Sequence, residues 1–172
     1  LNTTDILKCL KDDIHSTIFS TIAEDGFPQS RAIDIMLCDE KSIYFITAKG
    51  KKFYDQLMEQ HFVAIAGVKN GICINLRGKI RIADKKLLKD VFEQNQYMKD
   101  IYPGNTREIL EVFQLYEGHG EYFDLNQTPI YRQSFSLGGA EVYKSGYVIK
   151  QENCLHCGSC YNVCPTKAIE KI

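Results

Sequence analysis

The chain is 172 residues long, 44% hydrophobic and 25% charged, which is the make-up of a globular protein close to one domain in size. Its 21 Lys+Arg against 22 Asp+Glu leave a formal net charge of -1, and no tract gathers the basic residues, which speaks against nucleic acid as a partner. No apolar run reaches the ~20 residues of a membrane span and no signal-peptide series is seen, so the expectation is a cytoplasmic protein with no membrane partner. Seven cysteines, an odd total in a chain read as unexported, argue against a disulfide framework and for a metal or redox site.

Along the chain, Ile6, Leu7, Leu10 and Ile14 recur at helical spacing behind Thr3 and Thr4, which predicts a threonine-capped helix over 3–14. The period then changes. Segments 18–23, 31–37, 43–48 and 62–68 are short and rich in β-branched and aromatic residues, as strands are. The turns at Glu24-Asp25-Gly26-Phe27-Pro28 and at Cys38-Asp39-Glu40-Lys41 are of hairpin length and predict antiparallel neighbours. In 72–82, Ile72, Ile74, Leu76, Gly78, Ile80 and Ile82 alternate with Cys73, Asn75, Arg77, Lys79 and Arg81, a strand with one face to the core. Gly78 in its middle suggests a bend or a close backbone approach.

Two helices are expected next. The first carries Leu87, Leu88, Val91 and Phe92 behind Asp84 as N-cap. The second carries Ile109, Leu110, Val112, Phe113 and Tyr116 behind Asn105, with Glu108 in capping-box register. A last strand over 120–125 returns the chain to the sheet. Five or six antiparallel strands with tight turns make a closed or nearly closed barrel, a mainly β fold with helices (α+β). From 126 to 146 the pattern weakens, and Pro129, Ser134, Ser136 and Gly138-Gly139 read as an irregular connection. The expected division is a barrel over 1–140 and a tail over 141–172, too small for a core of its own and in need of a metal to fold.

In that tail, Cys154, Cys157, Cys160 and Cys164-Pro165 follow the spacing C-x-x-C-x-x-C-x-x-x-C-P, the bacterial ferredoxin run that wraps a 4Fe–4S cluster. Gly158 permits the tight turn between ligands, and 166–169 can start a short helix after the proline. Zinc is the alternative, but four-cysteine zinc sites pair two C-x-x-C knuckles across a long spacer. In two-cluster ferredoxins the fourth cysteine of such a run serves the other cluster, and this chain has one run. Cys164 therefore closes its own cluster, or yields that place to Cys9, Cys38 or Cys73, or ligates the cluster of a second copy.

Further motifs lie in the body. Arg31-Ala32-Ile33-Asp34 sits on a strand after Pro28-Gln29-Ser30, and Thr47-Ala48-Lys49-Gly50-Lys51-Lys52 joins a strand to a helix expected over 53–60. A hydroxyl, a glycine and lysines opening a helix can take a phosphate, although such a run is also an ordinary solvated turn. With Ile43-Tyr44-Phe45-Ile46-Thr47, Ile74-Asn75-Leu76-Arg77-Gly78 and Ile101-Tyr102-Pro103-Gly104, the order of these pieces resembles the pyridoxamine 5′-phosphate oxidase-like FMN-binding split barrels, in particular the nitroimidazole-resistance-like branch. The likeness spans roughly residues 3–125.

That resemblance implies an antiparallel split β-barrel and a homodimer with FMN at the subunit interface. Position by position, it implies that Arg31 and Lys52 hold the FMN phosphate with Thr47, and that Lys51 lies beside them. The backbone of Ile33, Asp34 and Ile35 would lie along the isoalloxazine edge, and Asn75 would add a polar contact. The chain has Cys73 where the oxidase has Gln, and no match to its pyridoxal-phosphate residues is found, which disfavours a vitamin B6 oxidase. The expected function is a flavin and iron–sulfur redox protein, in which FMN reduces a nitroaromatic or quinone-type acceptor with electrons supplied through the cluster by a donor such as a ferredoxin. The alternatives are an electron carrier between proteins and an FMN module with a structural zinc tail. No nicotinamide fingerprint is present.

Overall fold

The computed structural model describes residues 1–141, 147–157 and 164–171. The expected ligand Cys160, the turn residue Gly158 and most of the stretch around the expected boundary lie outside the described residues. The chain divides into two compact units, Leu1–Val142 and Tyr143–Ile172.

The first unit opens with α1 (Thr3–Lys8), capped by Asn2 in place of the expected threonines: its side chain accepts the Asp5 N–H at 2.8 Å, and the Asp5 carboxylate answers the Asn2 N–H. The expected helix over 3–14 then widens to a π-helix over Cys9–Ile14. Eight strands follow in one antiparallel sheet: β1 (Ser16–Ile22), β2 (Pro28–Asp34), β3 (Leu37–Cys38), β4 (Ile43–Ala48), β5 (Phe62–Lys69), β6 (Ile72–Ile82), β7 (Leu110–Asp124) and β8 (Tyr131–Leu137). Their order is β2-β1-β5-β6-β7-β4-β3, with β8 on the second half of β7, and the sheet curls into a split half-barrel. Between strands lie α2 (Lys52–Gln60), α3 (Leu87–Gln94) and α4 (Met98–Ile101).

The largest departure from expectation is β7. A helix is expected over 109–116, but Gly104–Ile109 is a 3-10 turn and Leu110–Asp124 is a 15-residue strand, whose end is the strand expected over 120–125. One edge of β7 pairs with β6; the other pairs first with β4, then with β8. Its opening residues are buried on both faces, because Phe113 and Leu115 join one core cluster while Leu110 and Val112 join another. A strand buried on both faces loses the polar alternation that marks it, and its apolar run mimics a helix.

Other boundaries move for local reasons. Segment 126–146 is not wholly irregular, since β8 buries Phe135 and Leu137 against β7. The strand expected over 31–37 breaks after Asp34, so the hairpin across 38–41 joins β4 to the short β3 and not to β2. Asp84 does not cap α3 directly: its carboxylate accepts the Lys86 N–H at 2.9 Å in a turn one step before the helix. The count is eight strands in place of five or six. Gly78 does permit a close approach, since a Cβ there would stand 2.2 Å from the Glu117 carbonyl oxygen, beside a β-bulge at Lys79/Ile80.

The core of this unit is aromatic at its centre. Phe45 stacks on Phe113 at 5.6 Å and tilts against Phe19 at 4.6 Å, all three fully buried or nearly so. The second unit holds a two-stranded antiparallel sheet of β9 (Tyr147–Ile149) and β10 (Ile169–Lys171). The short helix expected after Pro165 is thus a turn leading into β10. No helix among the described residues is long and apolar enough to cross a membrane.

Candidate functional site

Arg31 stands opposite the buried Phe19 in the β1–β2 register, so its side chain leaves the core-facing side of the sheet at the rim. Its guanidinium lies 4.3 Å from the centre of the Phe53 ring, over one face. Nη1 donates to Thr21 Oγ1 at 2.7 Å and Nη2 to Gln56 Oε1 at 3.1 Å. Gln56 is 7% exposed; its Oε1 also accepts the Thr21 hydroxyl at 2.6 Å and its Nε2 donates to Gln29 Oε1 at 2.9 Å. Every one of these partners is neutral. Burial pulls the guanidinium below its ordinary value, yet an arginine stays protonated in water, so a half-buried positive charge sits here with no carboxylate paired to it among the described residues.

The Thr47–Lys52 segment comes up from β4 to the same helix. Thr47 is buried at the end of β4, opposite Glu111 of β7. Lys49 is spent on Glu111, Nζ to Oε2 at 3.0 Å, and Gly50 turns the chain at φ +84°. Lys51 precedes α2 and Lys52 opens it; both are exposed and neither forms an ion pair among the described residues. Lys52 and Gln56, one turn apart on α2, line a cavity of about 260 Å³ with Gln29, Ala23 and the exposed carboxylates of Glu24 and Asp25.

Asp34 goes elsewhere. It accepts hydrogen bonds from the Ser16 hydroxyl and, at 2.6 Å, from Tyr97, whose oxygen lies 2.9 Å from His15 Nε2. Burial of the carboxyl works toward a higher pKa, but the Ser16 and Tyr97 bonds and the charge of His15 prevail and hold it below the usual range. Tyr97 moves up in turn, by burial first and then by its bond to Asp34. Sequence reasoning missed Tyr97, His15 and Gln56 as partners. For Gln56 the i, i+4 spacing from Lys52 was an available signal; for Tyr97 no local pattern existed.

Ile33 packs against the core, and Ile35 is fully buried with its N–H bonded to the His15 carbonyl at 2.8 Å. By the alternation of an antiparallel ladder, Asp34 then turns its backbone N–H and C=O to the open edge of β2. Asn75 is not brought to Arg31. Following the register, Arg31, Phe19, Ile65 and Leu76 share the core face, whereas Asn75 lies with Ala66, Ile18 and Ala32 on the outer face.

In the second unit, Cys154, Cys157 and Cys164 line one cavity of about 270 Å³ with Ile149, Ala168 and Ile169. Cys164 Sγ accepts the Ala168 N–H at 3.3 Å and lies 3.7 Å from the Thr166 hydroxyl; these bonds, Thr166 first, lower the thiol's pKa toward thiolate. Three thiols on one cavity, with an N–H aimed at the Cys164 sulfur, suit an iron–sulfur cluster, and the imidazole of His156 lines the same cavity. Among the described residues no three ligating side chains converge on one ion position, and Cys160 is not among them. In the first unit, burial and then Asp13 push the Cys9 thiol up to about 11, and burial raises Cys38.

A curled antiparallel sheet followed by a four-cysteine tail is the outline of a split barrel with a ferredoxin-type motif. Residues 4–123 match the family model described as pyridoxamine 5′-phosphate oxidase, and residues 147–170 match that of the 4Fe–4S binding domain; the chain belongs to the pyridoxamine 5′-phosphate oxidase family. Solved structures agree on the fold. A NimC/NimA family protein of Clostridium acetobutylicum is similar at TM-score 0.66 and 21% identity, over 80% of this chain and 95% of that one. A pyridoxamine 5′-phosphate oxidase-related, FMN-binding protein of Nostoc punctiforme is similar at TM-score 0.54 and 14% identity, over 81% and 94%. A haem-binding protein of Mycobacterium smegmatis is similar at TM-score 0.61 and 10% identity, over 80% and 59%. No curated protein matches the chain.

Proposed function

We propose that this chain is a flavin- and iron–sulfur-dependent redox protein, a homodimer that reduces a small nitroaromatic or quinone-type molecule with electrons entering through a 4Fe–4S cluster from a protein donor such as a ferredoxin. The observation that carries the reading is the half-buried Arg31 charge with neutral partners only, in a chain that also bears the four-cysteine run. Arg31, Lys52 and Thr47 hold the FMN phosphate, with Lys51 beside them, and the outward N–H and C=O of Asp34 on the open edge of β2 meet the ring. When bound, the flavin exchanges one or two electrons and the cluster one at a time, so single-electron input can serve a two-electron reduction. Cys154, Cys157, Cys160 and Cys164 supply the thiolates that hold the cluster.

The outer sheet face supports pairing of two copies. Ile18 and Val68 are 46% and 66% exposed there, among the small residues Ser20, Ala32 and Ala66. Pairing through this face also gives Asn75 a role, as a contact to the flavin of the partner. The deciding experiment is an absorption spectrum of protein purified without oxygen, with flavin, iron and zinc counted per chain. About one flavin and four irons, followed by turnover of a nitroaromatic or quinone, is the expected result. Flavin with zinc and no iron overturns the electron-input role of the tail. Transfer to redox proteins without small-molecule turnover makes the chain a carrier.

A further inference from the structure

Gln56 sits where a charge would be expected. A half-buried arginine ordinarily finds a carboxylate, and a glutamate fits the same place with the same reach. Here the acceptor is an amide. Its orientation follows from its neighbours: Oε1 takes two donors, the Thr21 hydroxyl and an Arg31 N–H, while Nε2 gives its proton to Gln29 Oε1. Thr21 closes the triangle, accepting from Arg31 and donating to Gln56. The guanidinium is thus held from two sides and backed by the Phe53 ring, with its charge left unspent. One helix supplies Phe53, Gln56 and the exposed Lys52.

We propose that Gln56 is the positioning residue that makes this site select a phosphorylated flavin: it orients Arg31 through a neutral acceptor and so reserves the positive charge for the phosphate. The inference rests on the reading of Arg31 as a phosphate ligand. A carboxylate at this position keeps the contacts to Arg31 and Thr21, gives up the donor that Gln56 offers Gln29, and cancels the charge, in a short charge-assisted pair that a ligand phosphate has to break. An apolar side chain of similar size removes the acceptor and leaves the charge. Charge and geometry therefore make opposite predictions about which substitution is worse.

The test uses the full chain with its tail intact and its flavin removed, titrated with FMN and with riboflavin, which lacks the phosphate, by quenching of flavin fluorescence. Gln56→Glu is expected to lower FMN affinity by about ten- to hundredfold, the range of one hydrogen bond to a charged group, with riboflavin affinity unchanged. Gln56→Met is expected to lose less FMN affinity than Gln56→Glu. If Gln56→Glu keeps the preference for FMN, or if both flavins weaken together and Met is the worse substitution, Gln56 is only structural and the inference falls. Arg31→Met separates the two claims. If it erases the preference while Gln56→Glu does not, the phosphate reading stands without this inference; if it leaves the preference intact, the phosphate reading itself fails. Should Gln56→Glu not fold, as thermal unfolding would show, Gln56→Met decides: a loss confined to FMN supports the inference, and a parallel loss of both flavins overturns it.

Discussion

The two units of this chain keep their shape by different means. In the body, Phe19, Phe45, Phe113 and a shell of Ile and Leu are removed from water, and eight strands satisfy one another's backbone groups. Among the tail residues whose side chains the structure describes, Ala168 is buried, while Leu155 is 64% exposed and Ile149 39%. A unit of that size cannot balance its chain entropy by burial alone, and on the function proposed above the thiolates that hold a cluster supply what the core lacks. The body is therefore expected to survive loss of the tail's metal, and the tail is not.

The largest effect that can break this contrast is removal of a ligand. Cys157→Ser is expected to abolish the iron–sulfur absorption and expose the tail to limited proteolysis, with the body's thermal midpoint and flavin content unchanged. If the body's midpoint falls in step, the two units are not independent in stability. Next comes the core. Phe45→Ala leaves a cavity between the rings of Phe19, Phe53 and Phe113 and costs about 3–5 kcal/mol, measured by denaturant unfolding, with iron content per folded chain retained. Smaller still is Lys52→Ala. This exposed cation is worth about two- to fivefold in FMN affinity, a difference that shrinks as salt is raised, whereas the half-buried Arg31 is expected to be less sensitive to salt.

The same contrast explains what could be read from the residues alone. Ile72–Ile82 was legible because it is half-exposed: its polar and apolar residues alternate, and the alternation is the strand. Leu110–Tyr116, the first half of β7, was not, because its polar face is replaced by a second core cluster, a fact that resides in Met36, Val91 and Met98, far away in the chain, whereas the strand expected over 120–125 is the end of β7 to within a residue. The cysteine run announced its chemistry through spacing, since ligands of one cluster come from one short loop. The arginine site was half legible. Arg31 and Lys52 stand out as charges near a turn, but the residue that decides whether Arg31 is free is a neutral Gln56, marked in the sequence only by its i, i+4 spacing from Lys52. Asp34 is the reverse case: a charge visible in the sequence, whose partners Ser16 and Tyr97 are not marked by any local pattern.

That network yields the smallest and most specific prediction, and it sharpens the claim that the body is autonomous by acting on the body's pH limits alone. The Asp34 pKa is depressed on folding, so its ionised form contributes stability that is present above the ordinary carboxyl value of 3.8 and is lost as pH falls through the lower folded value. Tyr97 is raised on folding, so the contribution of its protonated form is present below the ordinary value of 10.0 and is lost as pH rises through the higher folded one. Asp34→Asn should therefore flatten the acid limb of a stability-against-pH curve below about pH 4, and it should also reduce the alkaline one, because the bond that raises Tyr97 goes with it. Tyr97→Phe removes the alkaline contribution outright and weakens the acid one only in part, since the Ser16 hydroxyl still donates to Asp34. Denaturant midpoints of the three proteins across pH 3–11 measure all of this. Equal acid limbs in wild type and Asp34→Asn would show that the carboxyl titrates no differently in the folded chain, and that Ser16 and Tyr97 hold its position without holding its charge.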